Sequence, residues 1–97
     1  MEVFVISYRS IIKGVELNTI EGVFSTVYKA GEAIDSIIGS IIQQWENEFV
    51  LDVCKYTGGE DNDCPCVHIE EKDSYGFPEL EINIETYKET VDELLIQ

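Results

Sequence analysis

The chain alternates between two hydrophobic periods, and the switches between them mark out its elements. EVFVISYRS at residues 2–10 is rich in β-branched and aromatic residues. Period two puts Phe4, Ile6 and Tyr8 on one face and Val3 and Val5 on the other. Lys13-Gly14 is a turn signal. VELNTIEGVFSTV follows as a second strand-like run, in which Leu17 and Ile20 break strict alternation. A bulge near Asn18 or Gly22 restores the phase, so the pair reads as an antiparallel hairpin.

From Tyr28 the period lengthens. Ala30, Ala33, Ile34, Ile37, Ile38, Ile41, Ile42, Trp45 and Phe49 recur at three- and four-residue steps, the stripe of an amphipathic helix. Glu32 and Asp35 are placed early, toward the positive end of the helix dipole. Gly39 is expected near the edge of the stripe, where a small residue would let the helix approach the sheet.

Period two then returns. FVLDVCKY puts Phe49, Leu51 and Val53 on one face and Asp52, Cys54 and Tyr56 on the other, and CVHIEE reads as its return strand. ELEINIE alternates without a break, Leu80, Ile82 and Ile84 inward and Glu79, Glu81, Asn83 and Glu85 outward. Thr86-Tyr87-Lys88-Glu89 has capping-box spacing and predicts a short last helix over about residues 87–95. The expected fold is α+β: a single domain over 1–97, in the order β-β-α-β-β-β-α. Its antiparallel sheet carries the main helix on one face.

Charge changes the picture most. Twenty acids stand against six bases, for a net charge of −14. Residues 1–45 hold three bases against five acids, whereas residues 46–97 hold three against fifteen, so the halves carry −2 and −12. Such a field repels phosphate backbones and anionic lipid and attracts basic proteins. No apolar run is long enough to span a bilayer as a helix, and MEVFVISYRS lacks a basic region and a cleavage site. A cytoplasmic protein is the expectation, with neither nucleic acid nor membrane as a direct partner.

GGEDNDCPCVH, residues 58–68, raises the question of chemistry. Cys54, Cys64, Cys66 and His68 supply the ligand count of a Cys₃His zinc site, but one cysteine stands alone and two are separated by a single residue. If the hairpin turns at Glu60, Cys54 faces Cys66 and a disulfide is reachable, but only in an oxidising compartment. Glu60, Asp61 and Asp63 lack the order of a calcium loop. Cys66 and His68 would make a poor nucleophile and base, because the surrounding carboxylates raise a thiol's pKa. The residues therefore point away from an enzyme and from a cofactor. The zinc module remains as an alternative reading.

The acids offer another role. Glu79, Glu81 and Glu85 form a ladder whose outward steps repeat at about 6.5–7 Å, comparable with the contour spacing of phosphates on one nucleic-acid strand. Two acidic turns flank it, Glu60, Asp61 and Asp63 in one and Glu70, Glu71 and Asp73 in the other. Tyr56, Tyr75, Phe77 and Tyr87 interleave as aromatic anchors, Tyr75 lying within the second turn. These residues would contact a basic, nucleic-acid-binding protein.

In size, acidity and lack of catalytic motifs the chain resembles the small phage-encoded inhibitors of bacterial defence, including anti-CRISPR proteins and DNA mimics. That resemblance is compositional and assigns no residue. It implies an inhibitor acting in the host cytoplasm. A further reading is a homodimer, with the free edge of the first hairpin pairing across a two-fold axis.

Overall fold

The computed structural model describes residues 1–57, 64–72 and 78–91. Among them lie five strands and one helix: β1 (Glu2–Ile12), β2 (Val15–Phe24), α1 (Val27–Trp45), β3 (Leu51–Thr57), β4 (Pro65–Glu71) and β5 (Leu80–Thr90). The strands form a single antiparallel sheet in the order β2-β1-β5-β4-β3.

Two hairpins thus flank β5. The first turns at Lys13 and Gly14, with φ of 52° and 81°. Positive φ at both central residues is the turn whose twist matches its strands, and glycine carries the second position without strain. A register shift sets Ile6 opposite Gly22 but Ser7 opposite Ile20, which leaves Glu21 as the extra residue of a bulge. The bulge falls beside Gly22, and a Cβ at that glycine would meet the Phe24 ring at 2.7 Å.

α1 packs on one face of the sheet, with Asp35 of its first half paired to Lys55 of β3 at 3.2 Å. Ala30, Ile34, Ile38 and Ile41 are its buried stripe, packed with Ile6 of β1, Val67 and Ile69 of β4, and Leu80, Ile82 and Ile84 of β5. Ile6, Ile69, Leu80, Ile82 and Ile84 are wholly enclosed, and full burial of such a side chain contributes about 1.5–3 kcal/mol. At the far end of the helix Trp45 meets Phe49 with ring centroids 5.8 Å apart. The Lys13 ammonium lies 5.9 Å from the centroid of the Phe49 ring and pairs with Glu48, which ties the hairpin turn to the segment after the helix.

Three local expectations are corrected. Thr86 caps no helix: it is buried within β5 opposite Ile6, and the strand runs on through Thr90. The pull of β1, which pairs with β5 as far as Thr90, overrides the capping pattern. The rest of the expected last helix, from residue 92 onward, lies outside the described residues. The cap that does form is Thr26, whose hydroxyl accepts from the Lys29 amide at 3.1 Å.

Glu32 and Asp35 fall beyond the first turn of α1, which holds no acid. Gly39 is exposed with open space around its Cβ position, so no close approach to the sheet requires it.

Candidate functional site: the sheet face away from the helix

Strand register decides which acids meet. Residues paired across an antiparallel ladder share a face, and alternate residues share it along the strand. Because Ile82, Ile84, Val67 and Ile69 face α1, the residues between them point to the opposite face. Three rows cross that face.

The first row runs Glu16, Ile11, Glu81, Glu70, Asp52. Three carboxylates therefore sit on three adjacent strands, about 4.7–4.9 Å apart in the hydrogen-bonding direction. The second row runs Asn18, Arg9, Asn83, His68, Cys54. The third runs Ile20, Ser7, Glu85, Cys66, Tyr56. Acids thus border a polar row, and the one arginine in it is engaged by Glu16 at 3.3 Å.

His68 is the hub of the polar row. Its Nδ1 lies 2.7 Å from Oδ1 of Asn83 and its Nε2 lies 3.2 Å from Oε2 of Glu70. Both partners are acceptors, so only the imidazolium, with a proton on each nitrogen, donates to both. The hydrogen bond to Asn83 raises the His68 pKa above its usual value; burial opposes this, and the hydrogen bond to Glu70 with the charges of Glu70 and Glu81 adds to it.

Of the acids expected to meet a partner, Glu70, Glu81 and Glu85 share this face. Glu71 does not: it lies on the helix side of β4, where Oε2 accepts from the Glu79 amide at 3.0 Å. That bond fixes the approach to β5. Glu79 precedes the strand and is exposed. Glu60, Asp61, Asp63, Asp73 and Tyr75, with Phe77, lie outside the described residues. Sequence reasoning missed Asp52, which joins the row only because β3 pairs with β4 in this register.

The sulfur chemistry is rearranged. Cys54 faces His68 and Cys66 faces Tyr56, so the two cysteines are not opposite each other as a turn at Glu60 would have placed them. Both are free thiols. Cys54 is exposed, whereas Cys66 is buried and its thiol reaches the Cys64 carbonyl at 3.9 Å. Among the described residues no three His, Cys, Asp or Glu side chains are gathered as metal ligands would be. The set Cys54, Cys64, Cys66 and His68 is split between one exposed thiol, two buried cysteines and an imidazole directed at Asn83 and Glu70.

No protein-family model, curated protein or solved structure matches this chain. Any functional reading therefore has to come from its own face chemistry. No helix among the described residues is long and apolar enough to cross a membrane.

Proposed function

We propose that this protein is a non-enzymatic binding protein that blocks a basic, nucleic-acid-handling protein, and that it binds through the sheet face away from α1. The observation that carries the reading is the row Asp52, Glu70 and Glu81 on three adjacent strands, with Glu85 one row away. Carboxylates on neighbouring strands are held by the backbone at fixed spacing. They present negative charge without the ordering cost that flexible acids would incur on binding. Directly opposed like charges lower the stability of the sheet. A face that bears this cost is suited to a surface lined with lysine and arginine, where the repulsion becomes attraction.

The acidic half of the chain supplies the long-range field and Tyr56, exposed at the end of the third row, supplies an aromatic contact. In this reading the protein acts as the small phage-encoded inhibitors do that it resembles in composition, by occupying a channel built for nucleic acid. The partner would be met in the cytoplasm of the host.

The test is capture from bacterial lysate at low and high salt, with the wild-type chain and with Asp52→Lys/Glu81→Lys/Glu85→Lys. The wild type should retain DNA- or RNA-binding proteins that salt and added double-stranded DNA both release, and the triple variant should retain none of them. Capture that is indifferent to DNA and to the charge reversal would remove the reading.

A further inference from the structure

The edge of the sheet formed by β2 has a different character from the rest of the surface. Among the described residues β2 pairs only with β1, so its outer edge presents backbone donors and acceptors along Val15–Phe24 to no other described strand. Natural edge strands are protected by lysine, proline or an inward charge. VELNTIEGVF contains none of these, and its bulge at Glu21, another such device, leaves Val15–Ile20 regular. Its apolar side chains are bare instead: Val15 is 69% exposed, Leu17 51%, Ile20 59% and Val23 59%. The path of α1 accounts for part of this. Asp35, in its first half, pairs with Lys55 of β3 at 3.2 Å, so the helix lies toward that far edge and leaves Val15 and Leu17 uncovered.

Charge narrows the occupant. The two acids of β2 are held by their own chain, Glu16 by Arg9 at 3.3 Å and Glu21 by the Thr19 hydroxyl at 2.7 Å. Residues 1–45 carry −2 of the total −14. A second copy of so acidic a chain is repelled from every surface built by residues 46–97. The β3 edge is one of these, and it is shorter and carries Asp52 and Lys55. The β2 edge is where a copy can approach.

It also offers a copy what it needs. An antiparallel copy centred with Leu17 opposite Leu17 sets Val15 against Thr19 and Glu16 against Asn18, so apolar groups meet at the axis and no two acids are directly opposed. The bulge at Glu21 confines the regular ladder to Val15–Ile20.

We infer that β2 is a self-association edge, at which two copies pair antiparallel across a two-fold axis normal to the sheet. The product is a ten-stranded sheet with both helices on one face. The seam lies at its least charged line. Asp52, Glu70 and Glu81 then stand about 12–22 Å from the seam, two to four strands away. That distance exceeds the Debye length of about 8 Å at physiological ionic strength. Salt therefore strengthens this contact, whereas it weakens the binding of a basic partner to the acidic face. The two interactions are separable by the sign of their salt dependence.

The test is sedimentation equilibrium of the full chain at about 0.02 M and about 0.3 M salt. A dimer whose association constant rises with salt is expected. Leu17→Lys/Ile20→Lys should lower that constant by at least roughly tenfold, since lysine is the natural guard of an edge strand. This variant also reduces the net negative charge, so a weaker dimer cannot come from a larger net charge on each copy. Val50→Gln, beside the opposite edge and without change of charge, should leave association unchanged. Amide exchange of the wild type gives a readout that needs no variant: protection of the outward amides of Val15–Ile20 should rise with protein concentration. A chain that stays monomeric at both salts, a dimer indifferent to the double variant, or β2 exchange independent of concentration would each overturn the inference.

Discussion

Glu70 lies directly opposite Glu81 across the β4–β5 ladder, and Asp52 lies opposite Glu70 on the other side. Like charges in these positions oppose folding by an amount comparable with other cross-strand pairs, about 0.2–1 kcal/mol each. Glu81→Gln removes one repulsion and keeps the shape. It should raise the stability of the isolated protein by about 0.5 kcal/mol, read from the urea midpoint, and weaken capture of a basic partner. A variant that lost both stability and binding would show that Glu81 has a structural role the register does not reveal.

His68 sets a pH dependence. Its folded pKa is raised, first by the hydrogen bond to Asn83 and then, against the opposing effect of burial, by Glu70 and Glu81. The folded state therefore holds the proton more tightly than the unfolded chain. The resulting stability is fully present below the ordinary value of 6.5 and is lost as pH rises through the folded pKa. An NMR titration of the ring protons should give a midpoint above 6.5, and Asn83→Leu should lower it. A wild-type midpoint at or below the ordinary value would contradict the two-acceptor geometry.

Thr86 buries a hydroxyl that has no hydrogen-bond partner among the described residues, on the core face of β5. An unsatisfied buried polar atom costs about 1–3 kcal/mol, and valine has the same shape without it. Thr86→Val should stabilise the protein by about 1 kcal/mol in thermal or urea unfolding. Destabilisation would mean that the hydroxyl is satisfied in solution.

Gly39 sits exposed within α1, and among the described residues nothing lies within 4 Å of where its Cβ would be. Gly39→Ala should therefore stabilise the protein by about 0.5–1 kcal/mol, through helix propensity and a less disordered unfolded chain. A neutral or harmful effect would indicate that this part of the helix surface meets something in solution.

Much of the fold was legible in the residues because its cause is local. The stripe from Ala30 to Trp45 needs only the helical period to bury one face. Leu80, Ile82 and Ile84 need only alternation, and Lys13-Gly14 needs only a turn that tolerates positive φ. Where two local signals competed, as at Thr86 and Glu89, the capping pattern lost to a long-range ladder with β1 that no window of sequence contains.

The acidic character and its bias toward residues 46–97 were fixed by composition, whatever the fold. Which acids stand together was not. Asp52, Glu70 and Glu81 are far apart in the chain and became one row through the pairing of three strands, and Glu71 turned inward because β4 alternates. Pairing register likewise set Cys54 against His68 rather than Cys66. A shift of the hairpin centre by one residue moves each partner by two. Periodicity fixes a side chain's face within its own strand, but only tertiary pairing fixes its neighbour on the next.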